Sequence, residues 1–275
     1  MSYVIERVDG PPGAAEQVAA VYRAIGFRPD LVDDVGLAAR LGGATFVART
    51  GADVVGVSSC LPFGASGWVG GVAVLPEARR SGIGQAMTQR AVDALLDSGV
   101  ATVCLHATPM ARPLYESMGF VADAELVELT GPSLDGPVTS AALRAGRPDD
   151  LAGVLELDHA VTGEDRSVLL RQLWPQHGWV IGDERIAGFC LRQLDSAAGA
   201  VIASDPAAGF ALLAQALIGR QGRLRVPTSQ SRTDVIGWLG ERGYRQTSST
   251  TRMQLGAPIA RRDQALVSAF NLYWG

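Results

Sequence analysis

The stretch Val72-Ala73-Val74-Leu75-Pro76-Glu77-Ala78-Arg79-Arg80-Ser81-Gly82-Ile83-Gly84-Gln85 reads as a β-strand, a turn of small and basic residues, and the start of a helix. Gly82 and Gly84 carry no side chain to block close approach, so the backbone N–H groups from Arg80 to Gln85 can converge on an anion at the helix N-terminus. Arg79 and Arg80 add charge suited to phosphate. A Gly-x-Gly at a helix start is by itself a common turn device. With the preceding strand, the proline and the paired arginines, the segment reads as a phosphate cradle. A dinucleotide fingerprint does not fit, because it needs Gly-x-Gly-x-x-Gly after the first strand of a parallel sheet and an acidic residue about 20 positions on.

Composition narrows the chemistry further. The chain has 275 residues, 47% hydrophobic and 19% charged, with mean hydropathy +0.15. That is enough apolar material for one or two cores and excludes general disorder. All 24 positive side chains are arginine, lysine is absent, and Asn271 is the one asparagine. Without lysine there is no Walker-type phosphate loop, no pyridoxal Schiff base and no kinase strand lysine. A phosphate site must then rest on arginine and backbone N–H groups, which the Arg79 to Gly84 turn supplies. The net charge of −4 and the absence of a basic run interleaved with aromatics speak against a nucleic-acid partner. Cys60, Cys104 and Cys190 are odd in number, far apart and set in apolar stretches, so they read as reduced core residues, neither disulfides nor metal ligands. Met1 to Arg7 lacks a signal pattern, and no apolar run approaches the roughly 18 residues of a membrane span. A cytoplasmic chain with no membrane partner is expected.

Working outward from the cradle, a strand at Tyr3 to Val8 is followed by helical stretches at Ala14 to Ala24 and Leu31 to Leu41. Strands follow at Ala44 to Thr50, Val54 to Leu61 and Trp68 to Leu75, the first two joined by a tight turn at Gly51-Ala52-Asp53. The helix from Gly82 to Leu96 carries apolar residues at Ile83, Met87, Ala91, Leu95 and Leu96, the spacing of a half-buried helix. A strand at Thr102 to His106, a helix at Pro109 to Met118 stopped by Gly119, and a strand at Ala122 to Leu129 complete the order β-α-α-β-β-β-α-β-α-β. Thr130 to Gly136 reads as a linker. Beyond it the same order repeats, from a strand near Thr139 to Arg144 to a last strand at Thr247 to Leu255, with Gly243-Tyr244 matching Gly119-Phe120. The segment Arg261 to Trp274 is expected to close the chain as a helix. The fold class is α/β (α+β): two domains in tandem, residues 1–135 and 137–275, each a mixed, mostly antiparallel sheet flanked by helices.

The cradle resembles the acetyl-CoA motif of the GCN5-related N-acetyltransferase (GNAT) superfamily, Arg/Gln-x-x-Gly-x-Gly/Ala, at each defined position of Arg79-Arg80-Ser81-Gly82-Ile83-Gly84. Ala107 to Phe120 resembles the family's second signature, an aromatic-bearing helix ending in Gly-Phe. The resemblance covers residues 3 to 130 and implies an acetyl-CoA-dependent N-acetyltransferase. Its acceptor would be a primary amine of a small molecule, attacking the thioester directly, with no metal. Acetyl-CoA is then a cosubstrate held by Val72, Ala73, Val74, Arg79, Arg80, Ser81, Gly82, Ile83, Gly84, Gln85 and Tyr115. Its pantetheine arm pairs with Val72 and Val74 like an added strand. The Val74 N–H is the implied group that polarises the thioester carbonyl, and Tyr115 the implied acid for the departing thiolate. Tyr115 also reads as an amphipathic core residue.

No carboxylate stands on Gly67 to Ala73 to serve as base, so a water chain is one route; His106 and Cys60, near strand ends, read as packed residues. Asp30, Asp33 and Asp34 are placed either to bind a cationic amine or to form a solvated helix start. The second half reads Val201-Ile202-Ala203-Ser204-Asp205-Pro206-Ala207-Ala208-Gly209 at the cradle position, without the motif and with Asp205 repelling phosphate. Leu239 stands where Tyr115 does. The second half thus resembles a degenerate domain of bacterial tandem acetyltransferases that supports the first or walls its acceptor pocket. Asp158 and Arg166 there are either pocket residues or a structural ion pair. A non-catalytic acyl-CoA-binding module and a peptide N-terminal acetyltransferase are the alternative functions. The protein is expected to be a monomer or a homodimer.

Overall fold

The computed structural model describes residues 2–8, 12–26, 38–136, 138, 142–183, 185–192 and 197–274, with the side chains of residues 12–14 excepted. Asp30, Asp33 and Asp34 lie outside the described residues, as do most of the expected second helix and residues 139–141 of the expected strand.

The first half contains β1 (Val4–Arg7), α1 (Pro12–Ala24), β2 (Ala44–Thr50), β3 (Asp53–Phe63), β4 (Ser66–Val74), α2 (Ile83–Asp97), β5 (Thr102–Ala107), α3 (Arg112–Ser117) and β6 (Val121–Pro132). The second contains β7 (Leu143–Ala145), α4 (Leu151–Thr162), α5 (Ser167–Leu173), β8 (Gly178–Ile181), β9 (Gly188–Leu191), β10 (Ala200–Ala203), α6 (Pro206–Leu217), β11 (Arg223–Ser229), α7 (Thr233–Glu241), β12 (Arg245–Gly256) and β13 (Leu266–Ser268). Among the described residues the element order repeats, apart from the first half's second helix, most of which lies outside them. The same helix stop appears twice: Gly119 has φ +90° and Gly243 φ +83°. Phe120 N donates to Tyr115 O, and Tyr244 N to Leu239 O, each at 3.1 Å. A left-handed glycine of this kind satisfies carbonyls at the helix end that would otherwise lack donors.

Two expectations fail. Arg261 to Trp274 forms no helix; it contains β13 and a turn-rich strap, because the edge of β10 takes Leu266–Ser268 as an antiparallel partner. The expected linker begins as strand, since β6 runs on to Pro132 and pairs with β11 through that residue.

The strands form sheets of order β1-β2-β3-β4-β5-β12-β6-β11 and β13-β10-β9-β8-β7. The larger sheet does not divide at the linker. β12 lies between β5 and β6, antiparallel to both, and β11 adds outside β6. In repeat terms β11 matches β5 and β12 matches β6, so the run β5-β12-β6-β11 reads the same from either end once the halves are exchanged. Each half's last strand is seated beside the other half's fifth.

Side-chain alternation assigns the two faces of this sheet. On one face Ile83, Met87, Ala91 and Leu95 of α2 pack with Phe46, Val103, Leu105 and Phe120. Leu96, expected to be apolar-facing, is instead 48% exposed. On the other face Leu61, Phe63, Trp68 and Cys104 pack with Val154, Leu169, Phe189, Phe270 and Trp274 of the second half. Cys60, Cys104 and Cys190 are free and buried. Burial pushes their thiols up to about 11, 12 and 12, far from the reactive thiolate range. Among the described residues no helix is long and apolar enough to cross a membrane.

Candidate functional site

β4 and β5 run parallel but pair only over Ser66–Trp68 and Thr102–Cys104. The cause lies in β4. Its register against β3 shifts between Gly70, opposite Ser59, and Ala73, opposite Val57, with Gly71 at φ +62°. One extra residue at a left-handed glycine is a β-bulge, which bends the strand and raises its twist, and here carries Val72–Val74 away from β5. Gly71 is also fixed from behind: Tyr22 Oη donates to its carbonyl at 3.1 Å, and a Cβ there would lie 2.3 Å from that hydroxyl.

Past the bulge, Leu75 N donates to Val55 O at 2.9 Å. Antiparallel alternation then turns Ala73 toward β3 and directs the N–H and C=O of Val72 and Val74 into the gap. Arg79 Nε takes the Val74 carbonyl at 3.0 Å. Val72 and Val74 thus turn their backbone groups to the gap, whereas Ala73 buries its side chain with Val18, Tyr22 and Val57 on the α1 side.

The gap leads into the cradle. Pro76–Ala78 form a single 3₁₀ turn, Ser81 Oγ donates to Ala78 O at 2.5 Å, and Arg80 is left-handed at φ 62°. Arg79, Arg80, Gly82 and Gln85 are exposed, while Ile83 is buried beneath them. Gly82 caps α2 at φ +83° with no side-chain hydrogen bond and no acidic residue in the first turn. The first intrahelical donor is Ala86 N, to Gly82 O, so the N–H groups of Ile83, Gly84 and Gln85 point out of the helix end. A Cβ on Gly82 would meet nothing within 4 Å, and one on Gly84 only Leu114 and Val74 at 3.7 and 3.8 Å. An anion with an extended amide-bearing tail fits this arrangement, its charge at the helix end and its amides along β4.

Tyr115 lies under the cradle, 6% exposed and edge-on to Phe120. Its hydroxyl is hydrogen-bonded to Thr88, and burial pushes its pKa up to about 12. Thr88 Oγ1 donates onward to Gly84 O at 2.9 Å. Thr88 thus links the phenol to the cradle. Thr88 carries no motif signal of its own and was not readable from the sequence.

At the matching place in the second half, Asp205 caps α6 by accepting from Ala208 N at 2.9 Å. β13 pairs along β10 through Val201 and Ile202, and a Cβ on Gly209 would lie 2.9 Å from Val267 Cγ2. Leu239 is fully buried.

On the sheet face turned to the second half, a cavity of about 20 Å³ is lined by Trp68, His106, Thr162, Glu164, Arg166, Arg252, Arg261 and Asp263 among others. Its charges are paired. Arg252 bridges Asp123 (2.6 Å) and Asp263 (2.9 Å), and Arg261 bridges Asp123 (3.3 Å) and Glu164 (2.7 Å). Trp68 Nε1 donates to Glu164 at 3.1 Å. Asp158 and Arg166 form a bidentate pair, Nε to Oδ2 3.1 Å, with both side chains at most 2% exposed; it is a buried ion pair at the cavity edge. This network joins residues as much as 157 positions apart, as in the Arg261 contact with Cys104, and no local pattern announces it.

Two family models, each described as "Acetyltransferase (GNAT) domain", match residues 42–122 and 154–268. No curated protein matches the sequence. Among solved structures, a protein from Pyrococcus horikoshii named as a candidate acetyltransferase superposes with TM-score 0.82 at 19% identity, over 99% of this chain and 96% of that one. A GCN5-related N-acetyltransferase from Sphaerobacter thermophilus gives 0.65 at 18%, over 95% and 98%. A tandem GNAT protein from the clavulanic acid biosynthesis pathway gives 0.67 at 14%, over 94% and 100%. At such identities the likeness is one of fold.

Proposed function

The chain belongs to the GNAT acetyltransferase family, and from that premise we propose that it is an acetyl-CoA-dependent N-acetyltransferase acting on a primary amine of a small molecule. The observation that carries the reading is the continuity of the gap-facing backbone of Val72 and Val74 with the uncapped start of α2. Acetyl-CoA, bound there, supplies an activated acetyl group. The N–H groups from Arg80 to Gln85, with the side chains of Arg79 and Arg80, hold its pyrophosphate. Val72 and Val74 pair with its amides, and the Val74 N–H polarises the carbonyl under attack.

Tyr115 is the side chain assigned to the departing sulfur. With its pKa pushed up to about 12, the phenol stays protonated throughout the neutral range. Full transfer of its proton to a thiolate of pKa about 8.5 runs uphill, so its contribution is a hydrogen bond to the departing sulfur. Residues 1–135 carry the cosubstrate site, and residues 137–275 wall the acceptor side. A non-catalytic acyl-CoA-binding module is the second reading, favoured by the absence of a carboxylate on β4.

Incubation with acetyl-CoA and a panel of primary amines, followed for free CoA thiol, tests the first reading. Thiol release that needs both components supports it. Thermal stabilisation by acetyl-CoA with no release from any amine supports the second reading, and neither effect removes both.

A further inference from the structure

His106 is a polar side chain of the cavity that the ion-pair network leaves out. It sits on β5 two residues beyond the last pair with β4, directly opposite Arg252 on β12, so its backbone borders the gap. Alternation puts its ring on the same face as Cys104, 4.9 Å from the ring of Trp68 and among the cavity-lining residues. Both ring nitrogens are buried; no hydrogen bond of ordinary geometry reaches either, the Leu272 backbone being the polar group that faces the ring, and a ring that donates there keeps its other nitrogen as an acceptor. The strap after β13 passes beside it. A Cβ at Gly70 of β4 would lie 2.8 Å from Tyr273 O and 3.1 Å from the Trp274 ring. Asn271 Nδ2 and Trp274 Nε1, on that strap, are buried donors that also lack partners. An orphaned buried polar group carries an uncompensated loss of hydration, which a ligand that pairs with it recovers.

We propose that His106 is a catalytic residue that receives the acceptor: a ring nitrogen accepts a hydrogen bond from the attacking amine, within a space that admits only a small, uncharged amino group. The proposal rests on the acetyl-transfer reading above and adds to it which side chain touches the nucleophile and from which face. Burial, with Arg252 and Arg261 opposing a further positive charge and the Leu272 backbone offsetting them in part, brings the imidazole pKa down to about 3. The ring is therefore neutral at pH 7 and acts as an acceptor. It does not store a proton. A cavity of about 20 Å³ holds about one water-sized group, so the nucleophile enters head first and its remainder stays outside. In the step itself the nitrogen attacks the thioester carbonyl, the N–C bond forms as the C–S bond breaks, and the proton lost from nitrogen ends on the CoA sulfur through solvent.

Hydroxylamine is a suitable probe, being compact and neutral at pH 7; its products with acetyl-CoA are acetohydroxamic acid and CoA thiol. His106→Leu is expected to raise the KM for hydroxylamine about 10-fold, the worth of one lost hydrogen bond, with acetyl-CoA affinity unchanged. His106→Gln, which keeps an acceptor, is expected to recover most of that loss. An unchanged KM in the Leu variant, or a Gln variant no better than Leu, overturns the assignment. So does a wild-type protein that releases thiol with another amine yet forms no hydroxamate above the uncatalysed background. No release with any amine, or failure to bind acetyl-CoA at all, instead overturns the acetyl-transfer reading. Should the Leu variant not fold, the ring ¹⁵N resonances of His106 are followed as hydroxylamine is added to wild-type protein saturated with CoA. A shift there supports the proposal, and none overturns it.

Discussion

At the β4–α2 junction the helix starts at Gly82 with no side-chain cap, whereas at the matching β10–α6 junction Asp205 accepts from Ala208 N at 2.9 Å. The adjoining strands differ in the same sense. Beyond Trp68, β4 faces a gap from which β5 has withdrawn; β10 has β13 paired along it. In the second half a carboxylate of the chain takes the place of an external anion, and a strand of the chain takes the place of an extended ligand. The comparison teaches that the two features of the first site belong together. A helix end and a strand edge left open side by side form one binding surface, and the repeat that satisfies them internally has nothing left to offer a nucleotide.

The largest expected effect breaks the open turn. Arg79→Ala combined with Gly82→Val removes a cation and forces a β-branched residue into φ +83°, where backbone strain alone costs about 1–2 kcal/mol. Acetyl-CoA binding measured by calorimetry is expected to weaken by two orders of magnitude or more, and retained affinity would remove the cradle assignment. Next, Tyr115→Phe leaves the cradle intact and withdraws only the phenol. A fall in kcat of about 10- to 100-fold is expected, with the acetyl-CoA Kd within about twofold; an unaltered kcat would take Tyr115 out of the reaction. The smallest effect sharpens the comparison from the other side. Asp205→Ala deletes a helix cap worth about 1 kcal/mol, seen as a Tm about 2–4 °C lower. It is expected to leave acetyl-CoA affinity untouched, and a change in that affinity would mean that the second half still takes part in binding.

Much of this contrast was legible in the sequence because it is local. The glycines at 82, 84, 119 and 243, the arginines at 79 and 80 and the proline at 206 act on their own few residues, and turn and cap chemistry is written at that range. The bulge at Gly71 was not, since a glycine followed by valine in a strand looks the same with or without an extra residue. The strap, which the sequence predicts as a helix, is drawn to the open edge of β10, and that pairing outweighs its local preference. The cavity was hidden for the same reason at larger scale. Arg252 stands opposite His106, and Arg261 reaches Glu164, only because β12 crosses to the first half's sheet. Strand pairing is made by backbone groups that every residue carries, so no side chain marks the choice of partner.

The crossing of β12 also bears on how the polypeptide emerges from the ribosome. β5 is complete at Ala107, yet its neighbour on one side spans Arg245–Gly256. At about 5–20 residues per second, that edge waits on the order of ten seconds for the strand that covers it, exposing Thr102–Ala107 to any other chain able to pair with it. A nascent first half therefore needs shielding during translation, and a stop codon placed at the linker would yield a product prone to aggregate.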